Sequence, residues 1–190
     1  KKFTGWQSTL MLGLDISGKT LGIVGAGRIG TAFGLMASGF EMEILYTDLS
    51  RNPILEKNVN AKKVELNELL KKSDFISLHI PLTKDSIHLI DEPQFNLMKP
   101  TAVLINTSRG QVINEKILAK NLKNKKIGYA GLDVFEREPE IYEELFDLPN
   151  IIMAPHIASG TVETRNNMAI IAAQNAADIL SGIIPRNNVW

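Results

Sequence analysis

The stretch Thr20-Leu-Gly-Ile-Val-Gly-Ala-Gly-Arg-Ile-Gly30 constrains this chain more than any other. Leu21, Ile23 and Val24 make a short apolar run of the kind that forms a buried strand. Gly25, Gly27 and Gly30 follow at G-x-G-x-x-G spacing. The first glycine permits a tight turn, the second lets a pyrophosphate approach the backbone, and the third lets helix and strand pack closely. A helix opening at Arg28 and Ile29 would offer its free N–H groups and the positive end of its dipole to phosphates. The next residues suit an amphipathic helix with Ile29, Ala32, Phe33, Met36, Ala37 and Phe40 on one face. A second apolar run over 42–46 leads to Asp48, about the distance at which an acid meets an adenosine ribose. The pattern predicts dinucleotide binding; the plainer alternative is a glycine turn in an ordinary α/β domain.

Composition narrows the function classes. With 21 Lys+Arg against 21 Asp+Glu, the net charge is zero, which argues against non-specific binding to nucleic acid or anionic membranes. No cysteine is present, so disulfides, thiolate nucleophiles and thiolate metal sites are excluded. The three histidines lack metal-ligand spacing, and no metal is expected. No apolar run is long enough to span a bilayer, and Lys1-Lys-Phe3 is not followed by a signal-peptide core. The default location is cytoplasmic.

Residues 1–19 read as a mostly irregular lead-in, with Trp6 a packing residue. From Thr20 onward, strands alternate with helices. Strand candidates are 20–24, 42–46, 75–79, 102–106, 128–133 and 151–153, with a short addition near 61–64. Helix candidates are 28–40, 65–72, 91–98, 114–124 and a long one over 161–181. Such alternation predicts a doubly wound α/β domain over 20–181, its parallel strands joined by right-handed crossovers. Residues 182–190 read as an exit from it.

Ligands of such sheets bind at the carboxyl ends of the strands. That rule selects Asp48, His79 to Pro81, Asn106 to Arg109, Asp133, and Pro155-His156. Arg109 follows an apolar strand, where a guanidinium can grip a carboxylate through two parallel hydrogen bonds or merely cap a surface loop. Glu136 and Glu138 precede Pro139 and can equally be a solvated loop. His156 lies between a strand and the long helix and can be structural. His79 is placed to line a cofactor crevice, and His88, in a polar turn, reads as solvated. Taken together, an arginine anchor, a histidine proton donor and a carboxylate to orient the imidazole are what reduction of a 2-keto acid by a nicotinamide needs.

Several linked motifs stand in one order. They are Gly18 to Gly30, His79-Ile-Pro-Leu-Thr83, Leu97-Met-Lys-Pro100, Asn106-Thr-Ser-Arg-Gly110, Gly131 to Pro139, and Pro155-His-Ile-Ala-Ser159. Over nearly its whole length the chain resembles the NAD-binding lobe of the D-isomer-specific 2-hydroxyacid dehydrogenases, a Rossmann-type domain. The resemblance implies Arg109 as carboxylate anchor, Glu138 as the histidine's partner and His156 as acid/base. It favours Glu138 over Glu136 because the family's acid stands just before the proline. It also implies cofactor contacts at Gly25, Gly27, Arg28, Ile29, Gly30, Asp48, His79, Pro81, Thr107, Ser108, Arg109, Asp133, His156, Ala158 and Ser159. Within the family, Gly5-Trp6, Glu143 to Phe146 and Thr161 to Arg165 most resemble glyoxylate and hydroxypyruvate reductases. Readings kept beside it are a D-3-phosphoglycerate-type dehydrogenase and an NADH-sensing, corepressor-like binding protein. Glu138 argues against formate oxidation, a branch that pairs its histidine with glutamine.

Asp48 can accept both ribose hydroxyls but would repel a 2′-phosphate, so NAD is expected over NADP, with Arg51 near enough to complicate the choice. The family also carries a substrate-binding lobe, which this chain lacks; it reads as a fragment or excised domain. The expectation is that the piece binds NADH but turns over poorly, because its cleft cannot close. Family dimers pair through this lobe, so a homodimer is expected of the intact protein.

Overall fold

The computed structural model describes Gly5, Gln7, Ser8, Leu10 and residues 12–188. Trp6, expected to pack, lies outside them. The chain divides into two compact units, Lys1–Met153 and Ala154–Trp190. No helix among the described residues is long and apolar enough to cross a membrane.

The first unit is built on seven parallel strands: β1 (Thr20–Val24), β2 (Glu43–Thr47), β3 (Lys62–Lys63), β4 (Phe75–Leu78), β5 (Val103–Asn106), β6 (Tyr129–Leu132) and β7 (Ile151–Met153). Their order in the sheet is β3-β2-β1-β4-β5-β6-β7. The chain winds outward in one direction from β1, then returns to start again at β4. The crevice between those two strands is therefore the topological switch point. The connections carry α1 (Arg28–Ala37), α2 (Pro53–Val59), α3 (Leu66–Lys72), the single turn α4 (Glu92–Phe95) and α5 (Glu115–Lys123).

Side chains of the central strands alternate between two cores, as a period of two requires. Leu21, Ile23, Ile44 and Tyr46 join Leu55 and Ala61 on one face. Val24 and Leu45 join Leu69, Leu70, Ile76, Leu78 and Leu104 on the other. Burial on both faces explains why these strands read as apolar runs.

Two expectations need correction. The expected apolar face of α1 is only in part its buried face: Ala37 is buried and Phe33 packs half-buried on the core, but the other buried positions are Gly30 and Gly34. The helix lies so close over β1 that a Cβ at Gly34 would come within 2.9 Å of Ile23. Only small residues fit there, and Ile29 and Met36 are each left 70% exposed and Phe40 55%. The helix itself stops at Ala37, with a 3-10 turn over Ser38–Phe40. The second correction concerns α2, a helix absent from the expected set. Asn52 caps it by accepting from the Leu55 N–H at 3.0 Å, and Pro53 fills its first turn.

The second unit holds a turn over 154–160 and then α6 (Val162–Leu180). The Thr161 hydroxyl caps that helix, accepting from the Thr164 N–H at 3.1 Å.

Candidate functional site

Strand register assembles the site. Val24 pairs with Thr47 on one side and Leu78 on the other. Leu78 pairs with Asn106, Asn106 with Leu132, and Leu132 with Met153. One row of backbone thus crosses the sheet at its carboxyl end. The residues just beyond that row are Gly25, Asp48, His79, Thr107 and Asp133. Backbone bonds extend the ladder past the row: Gly25 N–H to the Thr47 carbonyl, His79 N–H to Val24 and Asp133 N–H to Asn106.

Gly25 has φ +94°, a conformation that side chains disfavour. A Cβ on Gly30 would sit 2.0 Å from the Gly25 carbonyl oxygen, so turn and helix close tightly on each other. Above Gly27, by contrast, a Cβ would meet nothing within 4 Å. No side chain caps the first amides of α1. An open cradle lined by uncapped amides fits a dinucleotide's pyrophosphate. Arg28 and Ile29, at the start of α1, are exposed beside it. The Asp48 carboxylate accepts from the Ala26 N–H at 2.7 Å, tying the acid after β2 to the glycine turn. His79 flanks the crevice, its ring centroid 5.1 Å from that of Phe33 and its Nε2 2.9 Å from the Ser77 hydroxyl. Burial holds the His79 imidazole below the usual histidine pKa. Pro81, two residues on, is exposed, and its carbonyl accepts from the Ser86 hydroxyl at 2.9 Å.

The loop after β5 is shaped by Asn106. Its buried amide donates to the Arg109 carbonyl at 2.9 Å and accepts from the Ser108 N–H at 3.0 Å and hydroxyl at 2.8 Å. Thr107 and Arg109 remain exposed. The Arg109 guanidinium donates to the Ser108 carbonyl at 2.6 Å. Gly110 then presses on the segment after β6, where a Cβ would lie 1.9 Å from the Phe135 carbonyl carbon. That segment holds buried Asp133 and exposed Glu138, whose carboxylate accepts from the Phe135 N–H at 2.9 Å. Arg109 and Glu138 therefore belong to two segments in direct backbone contact.

His156 belongs to the second unit, in the turn ahead of α6, with φ +53°. Its N–H donates to the Ala154 carbonyl at 3.1 Å. Ala158 and Ser159 complete the same turn, which the Gly160 N–H closes onto Ile157 at 2.8 Å.

Three features escape a reading of the sequence. His88 lies in the expected turn and is part-exposed, but it is also paired: its Nε2 lies 2.7 Å from the Glu136 carboxylate. Glu136 in turn is bonded through its N–H to buried Glu115 at 2.6 Å, and its carbonyl accepts from Gln111 at 2.9 Å. Burial raises the Glu115 pKa. This network binds the 86–90, 110–115 and 133–138 segments, and no local signal could reveal partners 48 residues apart. The other two are the loop-organising role of Asn106, whose position the strand-end rule does select, and Asn52, although an Asn at a strand end is a turn signal. A cavity of about 720 Å³ lies elsewhere, at the amino-terminal ends of β5 to β7 among Thr101, Leu122, Tyr129 and Pro149. Ligands of such sheets bind at the opposite end.

Residues 1–158 match the family model described as D-isomer specific 2-hydroxyacid dehydrogenase, NAD binding domain. A glyoxylate reductase of Thermococcus litoralis is 51% identical over 189 residues, covering 100% of this chain and 57% of the relative. A crystal structure of a Thermus thermophilus protein superposes with a TM-score of 0.92 at 38% identity, over 99% of this chain and 59% of that one. D-Lactate dehydrogenase from Aquifex aeolicus, solved with NAD and lactic acid, gives a TM-score of 0.86 at 30% identity, over 93% of this chain and 58% of that one. The chain thus spans little more than half the length of the proteins it matches.

Proposed function

The chain belongs to the D-isomer specific 2-hydroxyacid dehydrogenase family, and we propose that the full-length protein reduces a small 2-keto acid, glyoxylate or hydroxypyruvate, with NADH. The observation that carries this reading is the aligned row of strand ends, which sets the glycine turn, Asp48, His79, Thr107 and Asp133 along one edge of the sheet.

The dinucleotide, when bound, supplies the hydride that reaches the substrate's carbonyl carbon. The uncapped amides of α1 and the turn at Gly27 hold its pyrophosphate, and Asp48 takes the ribose hydroxyls. Pro81, Thr107, Ser108, Asp133, Ala158 and Ser159 are assigned further cofactor contacts. Arg109 grips the substrate carboxylate with paired N–H donors, which fixes the plane of the keto acid. His156 delivers a proton to the carbonyl oxygen as negative charge develops there. Glu138 orients that imidazole and stabilises its protonated form.

The test is steady-state turnover of full-length protein with glyoxylate, hydroxypyruvate, pyruvate and 3-phosphohydroxypyruvate, each with NADH. Glyoxylate or hydroxypyruvate should give the highest kcat/KM. A clear preference for the phosphorylated acid would move the protein to the phosphoglycerate type, and no turnover with any acid would favour a binding role. Replacing Arg109 by Lys should chiefly raise KM for the keto acid. The full-length protein is read as a homodimer, supported by the exposed apolar side chains of Ile29 and Met36 on α1 and of Phe40 on the turn after it. Light scattering on the eluting protein tests this, and a monomeric mass would contradict it.

A further inference from the structure

The loop between β2 and α2 is laced to the glycine turn. Besides the bond from the Ala26 N–H to Asp48, the Asn52 side chain donates to the Ala26 carbonyl at 2.8 Å and to the Thr31 hydroxyl at 2.7 Å. The loop therefore sits where the adenosine ribose of a dinucleotide on that turn would lie. A cofactor bearing a 2′-phosphate would need a cation here, and a guanidinium is the group best matched to it. Arg51 is the only arginine between Asp48 and Val59.

Arg51 is already engaged. Its Nε donates to the two Glu56 carboxylate oxygens at 3.2 and 3.3 Å, and its Nη2 donates to Oε2 at 3.0 Å. Glu56 is itself fixed from behind. The hydroxyl of fully buried Tyr46 donates to Glu56 Oε1 at 2.6 Å while accepting from the Asn52 N–H at 2.7 Å. Hydrogen bonds from Tyr46 and then Arg51 hold the Glu56 carboxyl below its usual range, so it is ionised at neutral pH. A second cation near Glu56, Lys63, donates to the Leu49 carbonyl at 3.2 Å.

We propose that Glu56 is a cofactor-specificity residue acting through Arg51: anchored by Tyr46, it keeps the guanidinium paired and so denies NADPH the cation its 2′-phosphate needs. This adds to the direct repulsion by Asp48 and rests on the NAD-site reading above. Glu56 need not touch the cofactor. An exposed arginine is normally free to swing toward any phosphate, because surface pairs are weak. Here the acceptor is immobilised and the contact is forked, so the guanidinium loses less freedom by staying.

The experiment is equilibrium binding of NADH and NADPH to the full-length protein, read by nucleotide fluorescence, for wild type, E56Q, R51A and E56Q/R51A. Glutamine can still accept from the Tyr46 hydroxyl, so the fold is retained. In E56Q the NADPH Kd should tighten about two- to fivefold, the scale of one released exposed pair, while the NADH Kd stays within about twofold of wild type. The gain should vanish in E56Q/R51A. R51A alone should leave NADPH binding unchanged, because the wild-type guanidinium is not available to it. Unchanged NADPH affinity in E56Q, a gain that survives in the double variant, or weakened NADPH binding in R51A would each overturn the proposal. Failure of wild type to bind NADH would instead overturn the nucleotide-site reading.

Discussion

The Ala26 N–H donates to the Asp48 carboxylate at 2.7 Å, joining the acid just after β2 to the middle of the glycine turn. If Asp48 also receives the ribose hydroxyls, as proposed, that duty and its tie to the turn can be separated. Replacing it by Asn removes the charge but keeps an acceptor for Ala26, so NADH affinity should fall about tenfold with little loss of stability. Replacing it by Ala also orphans the Ala26 N–H and should cost a further 1–2 kcal/mol, roughly, in urea denaturation. If both variants bind NADH as wild type does, Asp48 serves the turn alone.

Asn106 is the second organiser. Its side chain makes three hydrogen bonds that hold the loop ahead of Gly110. Asn106→Ala should lower stability by about 1–3 kcal/mol, since three hydrogen bonds to a buried side chain are lost. It should also raise KM for the keto acid more than the Kd for NADH, because the Arg109 carbonyl loses its tether. Equal changes in both constants would mean that Asn106 does not position the anchor.

Gly110 lies where the 109–112 and 133–136 segments meet. A methyl group there would fall 1.9 Å from the Phe135 carbonyl carbon, and backbone cannot rotate away as a side chain can. Gly110→Ala should destabilise the domain by about 3 kcal/mol or more. Chemical denaturation measures this directly. A variant as stable as wild type would show that the two segments do not pack as described.

His79 gives the fold a pH dependence of defined sign. Burial lowers its folded-state pKa below the ordinary 6.5, so the unfolded chain binds the proton more readily. Its contribution is fully present above pH 6.5 and is lost as pH falls from there through the lowered folded value. In His79→Gln the slope of stability against pH should be shallower across that window. Parallel curves for wild type and variant would remove His79 as the cause.

The central strands are legible in the sequence because burial on both faces makes each a short apolar run between turn residues, as in Val103 to Ile105. The glycine turn is legible because its geometry forces particular residue types. Legibility fails where packing inverts the usual cue. In α1 the small residues Gly30, Gly34 and Ala37 are inside, while Ile29, Leu35 and Met36 stand outside. In α2 a seven-residue helix buries only Leu55, too little for a periodic stripe, and only its Asn52-Pro53 start carries a signal. The bond between His88 and Glu136 joins distant segments and depends on tertiary structure alone.

If His156 supplies the proton in a reaction whose hydride comes from a dinucleotide on the first glycine turn, its loss should slow turnover and spare nucleotide binding. The most direct measurement is kcat for NADH-dependent reduction of the best keto acid by full-length protein carrying His156→Ala, with the NADH Kd measured alongside. The predicted result is a fall in kcat of about a hundredfold to ten-thousandfold with NADH Kd within about twofold of wild type. Undiminished turnover in that variant would contradict the claim.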